Sequence, residues 1–107
     1  MGETVGAAGW VAAITIDALA IGDSAAIEAA GQSVLICRAS DGFYAVANRC
    51  SHAAMPLAGG RIRGHHLSCP VHGARFDLRT GAAGPPAQNP IPTFPTRIQG
   101  IQVFVRV

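Results

Sequence analysis

Cys50-Ser51-His52 and Cys69-Pro70-Val71-His72 decide how this chain is read. Sixteen residues, Ala53 to Ser68, separate the two segments. Cysteine thiolate and neutral imidazole are the side chains that bind iron, zinc and copper best. Four of them in two close pairs call for a fold that brings two loops together. The spacing Cys-x-His then Cys-x-x-His differs from that of common zinc fingers, where both cysteines precede both histidines. Each segment supplies one sulfur and one nitrogen. That mixture allows two irons to be ligated unequally, with both thiolates on one and both imidazoles on the other.

Size and charge narrow the field. A chain of 107 residues makes one domain. Residues 1–9, rich in Gly and Ala, read as a flexible N-terminus, and residues 10–107 as the folded unit. Such a chain buries roughly two-thirds of its unfolded surface. Half the residues are hydrophobic, but much of that is alanine and only 6% are aromatic, so a metal centre tying two loops together would add stability. Net charge is +2 and every basic residue is arginine, with no basic cluster, which argues against a nucleic-acid partner. Cys37 lies in the apolar run Val34-Leu35-Ile36-Cys37 and reads as a buried free thiol. No disulfide framework is implied, which fits a reducing compartment. The N-terminus has no basic signal region, and the apolar run 10–16 stops at Asp17, far short of a membrane span. The expected protein is soluble, cytoplasmic, monomeric and free of membrane.

Along the chain, short strands alternate with turns. Residues 10–17 are rich in Val, Ile and Thr and read as a strand. Residues 18–31 are ambiguous: Ser24 suits a helix cap and alanine favours helix, with Gly31 as a stop. Residues 33–38 and 43–47 read as strands joined by a tight turn at Asp41-Gly42. Residues 61–63 and 66–69 read as a hairpin turning at Gly64-His65. Another short strand begins at Phe76-Asp77, with a turn near Thr80-Gly81. Prolines at 85, 86, 90, 92 and 95 block regular structure over residues 83–95. Residues 96–99 and 101–107 close the chain as a hairpin around Gly100. The sum is an all-β domain.

Cys50-x-His52 and Cys69-Pro70-x-His72-Gly73 resemble the two cluster-binding loops of Rieske [2Fe-2S] proteins. The runs Phe76-Asp77-Leu78-Arg79-Thr80-Gly81 and Pro90-Ile91-Pro92-Thr93-Phe94-Pro95 are similar to that family too, so the resemblance covers nearly the whole chain from Trp10 onward. Length and motifs look most like the ferredoxin components of aromatic-ring dioxygenase systems. The resemblance implies stacked small antiparallel sheets with a cluster-binding part at about residues 48–84. It puts a strand around residues 25–29. It implies one Rieske-type [2Fe-2S] cluster on Cys50, His52, Cys69 and His72.

A cluster held by four side chains has no open position, so the protein carries electrons and is not itself an enzyme. Two imidazoles in place of two thiolates make the cluster less negative. As a class, Rieske centres therefore lie at about −150 to +300 mV, against about −400 mV for plant-type clusters. High-potential members place a serine two residues and a tyrosine four residues after the second histidine. Here those positions are Ala74 and Phe76. Their disulfide positions correspond to Met55 and Val71. Without those hydroxyls and that disulfide, the expected potential is near the low end. Gly73 permits a tight turn beside the site. The family's surface histidines would make His52 and His72 the electron exit. Ala54, Met55, Pro56, Leu57, Pro70 and Pro86 would form a small apolar rim there for a weak, transient contact. Arg49, Arg61, Arg63 and Arg75 lie close in sequence, although solvated strand residues are the simpler reading. His65 and His66 fall at a turn between strands, where neighbouring side chains cannot face the same side of a strand, and are expected to be solvent-exposed; Asp17 and Asp77 have no assigned partner.

The expected function is one-electron transfer from an NAD(P)H-dependent reductase to a Rieske-type terminal oxygenase of a multicomponent aromatic-ring dioxygenase. The alternative is a small Rieske subunit of a larger enzyme such as nitrite reductase. Structural zinc on the same four side chains, and a non-redox scaffold with idle ligands, are further readings.

Overall fold

The computed structural model describes residues 9–51, 55–71, 73–85 and 87–107. The expectation of a flexible N-terminus falls almost entirely outside them. The run Val34-Leu35-Ile36-Cys37 has no alternation of polar and apolar residues, and a strand of that kind is buried on both faces. It forms the middle of β3 (Gln32–Ala39), where all four residues are buried. Around it stands a sheet of β2 (Ser24–Ala29), β3, β4 (Gly42–Ala47) and β8 (Thr93–Phe94), in that order and antiparallel throughout.

The two faces of β3 serve two cores. Val34 and Ile36 join Ala45, Val11 and Val105, packing the central sheet against one made of β1 (Trp10–Thr15), β9 (Thr96–Gln99) and β10 (Gln102–Arg106). Leu35, Cys37 and Ala39 face the other way. With Val46 they pack on Leu67 and Phe76 of the third sheet, β5 (Arg61–Arg63), β6 (His66–Ser68) and β7 (Arg75–Asp77). Among the described residues no charged or polar residue is fully buried, so both cores are wholly apolar. The architecture is all-β stacked antiparallel sheets, as expected.

Several local readings shift. The first strand stops at Thr15, where Ile16–Ala18 forms a 3-10 turn and the Thr15 hydroxyl donates to Asp17 at 2.6 Å. Asp17 therefore has a partner. Residues 18–31 contain the strand that the resemblance implies around 25–29, here Ser24–Ala29, and not the helix that their alanines suggest. Residues 24–29 pair in register with 32–37 across a two-residue turn at Ala30-Gly31, both with positive φ, so ladder hydrogen bonds and burial outweigh helix propensity. The turn before β4 falls at Ser40-Asp41, one residue earlier than expected. The proline-rich segment is not wholly irregular, because Thr93 and Phe94, each between prolines, pair with Val46 and Ala45. Arg38 fastens the β1–β2 connection: its Nη1 donates to the carbonyls of Ile16 (2.9 Å) and Leu19 (2.7 Å).

Gly81 docks the proline-rich segment. Its φ is +81°, and the Ile91 nitrogen donates to its carbonyl at 3.0 Å. A Cβ at this position would stand 2.1 Å from the Ile91 carbonyl oxygen. Gly81→Ala therefore combines a left-handed backbone with a backbone clash. It is expected to lower unfolding stability by about 2–4 kcal/mol, read as a lowered denaturant midpoint by circular dichroism. An unchanged midpoint would show that the segment is not held there.

Candidate metal centre

Cys50 directly follows the bend after β4, and Cys69 directly follows β6. Both are buried within the core that the central and third sheets share, alongside Leu57, Leu67, Ala74 and Phe76. Both are free thiols, as is Cys37. Each opens a loop closed in the same way. The Cys50 nitrogen donates to the Met55 carbonyl and the Cys69 nitrogen to the Ala74 carbonyl, each at 2.7 Å and five residues apart. In sequence, one loop contains His52 and the other His72. His52 and His72 themselves, with Ala53, Ala54 and Pro86, lie outside the described residues.

The second loop turns on Gly73. Its φ of +73° is one that residues with a side chain rarely adopt, and its nitrogen donates to the Cys69 carbonyl at 2.9 Å. The first loop is held by a residue that sequence reasoning passed over. Asn48 Oδ1 accepts from the backbone nitrogens of Leu57 and Ala58, both at 2.9 Å, and its Nδ2 donates to the Ser33 hydroxyl at 3.1 Å. One amide thus fastens the return of the first loop to the central sheet. The available signal was an Asn just past a strand end, where its side chain readily serves nearby backbone. Ser51 adds a tie by donating from its hydroxyl to the Asn89 carbonyl, joining the first loop to the proline-rich segment.

The expected rim divides. Met55, Pro56 and Pro70 are exposed. Leu57 is fully buried, which corrects its place on the rim: the Asn48 bond draws the chain inward there and Leu57 joins the core. Val71, not assigned to the rim from sequence, is 47% exposed and extends it. Ala74 and Phe76 are fully buried against the cysteines' core, and neither offers a hydroxyl. Arg49, Arg61, Arg63 and Arg75 are all exposed.

His65, His66 and Asp77 differ more from expectation. Both histidines are half-buried rather than exposed, with ring centroids 4.5 Å apart. His65 is a turn residue, so strand alternation does not separate it from His66. Asp77 has partners after all. Its carboxylate accepts from Arg79 Nε at 3.2 Å, Nη2 at 3.1 Å and the backbone nitrogen at 2.8 Å. His65 Nε2 stands 3.9 Å from it. The Arg79 hydrogen bonds, outweighing the cost of burial, lower the Asp77 pKa from 3.8 to about 2.

Two buried thiols on matching loops, beside two histidines in sequence, suit an iron–sulfur cluster: cysteine thiolates are its usual ligands, and the loops leave the core otherwise apolar. The comparisons agree. The Rieske [2Fe-2S] domain profile matches residues 9–95. The ferredoxin component of a naphthalene 1,2-dioxygenase system from Pseudomonas putida is 30% identical, over 90% of this chain and 93% of its own. The ferredoxin of carbazole 1,9a-dioxygenase from Nocardioides aromaticivorans superposes with a TM-score of 0.86 at 33% identity, covering 91% of this chain and 96% of that one. A ferredoxin-oxygenase complex of carbazole 1,9a-dioxygenase contains a match at a TM-score of 0.85 and 25% identity, covering 92% of this chain and 94% of that one. A chain described as a nitrite reductase small subunit, from Mycobacterium tuberculosis, matches at 22% identity and shares the fold alone. The chain belongs to the Rieske [2Fe-2S] family. It is an electron carrier of the kind that forms the ferredoxin component of aromatic dioxygenase systems, and its cofactor is a Rieske-type [2Fe-2S] cluster.

Two outcomes follow from this geometry. Asn48→Ala removes the acceptor for two backbone N–H groups and is expected to cost about 1–3 kcal/mol. The cluster's visible absorption should then decay faster under denaturant than in the wild type, and equal decay would show the first loop is held by other means. Because the folded pKa of Asp77 lies below its ordinary value, its contribution is complete above about pH 4 and is lost as pH falls toward 2. Asp77→Asn should therefore flatten the fall in stability over that window in paired acid titrations.

Proposed function

We propose that this chain takes single electrons from an NAD(P)H-dependent reductase and delivers them to the Rieske-type terminal oxygenase of an aromatic-ring dioxygenase. The cluster would be held by Cys50 and Cys69 on one iron and by His52 and His72 on the other. When bound, that cluster supplies reversible one-electron chemistry and no open coordination position. The observation that carries the reading is the pair of loops closed alike over buried, free Cys50 and Cys69.

The chain's own residues do three things there. The apolar core around the cysteines excludes water from their sulfurs. Asn48, Ser51 and Gly73 hold the loops in place, which keeps reorganisation small when charge changes. The exposed Met55, Pro56, Pro70 and Val71 offer a small apolar face suited to a brief contact. Buried Ala74 and Phe76 donate no hydroxyl hydrogen bond, which supports a potential at the low end of the Rieske range. Among the described residues no helix is long and apolar enough to cross a membrane. We place the protein in the cytoplasm as a single folded unit over residues 10–107, working as a monomer.

A redox titration followed by electron paramagnetic resonance tests this directly. A rhombic signal with average g below the free-electron value, appearing at about −150 mV, is the expected result. A clearly positive midpoint would contradict the argument from Ala74 and Phe76. Cys50→Ser and His72→Ala should each abolish the signal, and either variant retaining a wild-type spectrum would overturn the ligand assignment.

A further inference from the structure

The third sheet carries a second set of metal-binding side chains, at the end away from Cys69. His66 opens β6 and Cys69 follows that strand, so three residue steps, about 10 Å, separate the two. The β5–β6 turn at Gly64-His65 folds the His65 ring onto His66. His66 pairs across the sheet with Asp77, and the neighbouring pair Leu67–Phe76 points into the core. His66 and Asp77 therefore share the opposite face, and His65 reaches the same carboxylate at 3.9 Å. One donor atom from each of the three lies within 4.8 Å of the other two.

We propose that His65, His66 and Asp77 form a mononuclear site for a divalent transition-metal ion such as zinc or nickel, separate from the cluster, with water completing the coordination. Two imidazoles and a carboxylate suit these ions. Bonds of about 2.0–2.2 Å put neighbouring donors about 3.0–3.5 Å apart, so the three side chains, whose donors lie within 4.8 Å, need to close by up to about 1.5 Å. The frame beneath them is set. The Leu78 nitrogen donates to the His65 carbonyl at 2.7 Å, locking the turn to the end of β7. Arg79 orients the Asp77 carboxylate through side chain and backbone and keeps it ionised, ready as a ligand. The same guanidinium is a cation beside the site, which weakens binding of a second cation. A bound ion would clasp the β5–β6 hairpin to β7, the two pieces that flank the second cysteine loop.

The test uses the cluster-loaded, oxidised protein, in which the cluster ligands are already occupied. Calorimetric titration with Zn2+ should show one ion per chain, and His65→Gln and His66→Gln should each weaken binding at least tenfold while leaving the cluster's absorption unchanged. Electron paramagnetic resonance of the wild type with one equivalent of Cu2+ should show coupling to two nitrogens. Absence of saturable zinc binding, binding unaffected by either substitution, or copper without nitrogen coupling would each overturn the site.

Discussion

Burial of two thiols in one apolar core is the constraint the rest of the structure serves. Cys50 and Cys69 come from separate loops and lie in the same apolar core. A small chain with few aromatic residues meets this by using β3 twice. One face of that strand packs the β1–β9–β10 sheet, and the other faces the cysteines' layer. The loops are then short excursions from rigid strand ends rather than free segments. Their backbone polar groups are met by each other and by Asn48.

Rigidity of this sort suits a carrier. Electron transfer is faster when little moves as charge changes, and a partner docks best on a surface already formed. The exposed rim is apolar and small, and exposed arginines surround it in sequence. The third sheet is the frame for one cysteine loop, so whatever stiffens β5, β6 and β7 stiffens that loop. The Asp77–Arg79 pair and the His65–Asp77 approach both act at its far end.

How legible the site was depended on the kind of signal each residue gives. Cys50 and Cys69 announce themselves, because a thiol in such a pattern has few other uses. Buried Cys37 was equally plain from its apolar neighbours, and burial pushes its thiol up to about 12, which leaves it inert. Asn48 was not legible, since its value lies in accepting bonds from residues nine and ten positions on. Leu57 was misplaced on the surface because a loop residue's burial depends on which way its backbone is pulled. His65 and His66 were misjudged because strand alternation was applied at a turn.

The sequence by itself determined the all-β class, the two cysteine loops and the family, because those rest on residue chemistry and spacing along the chain. It also marked Cys37 as a buried thiol, through the apolar run it ends. Only the tertiary structure decided that Thr93–Phe94 pairs between prolines, that Leu57 turns inward, and that His65, His66 and Asp77 converge. Each of these depends on a partner far away in the chain or on a turn's direction. Local propensity is worth tenths of a kcal/mol per residue, and burial with hydrogen bonding to such partners outweighs it.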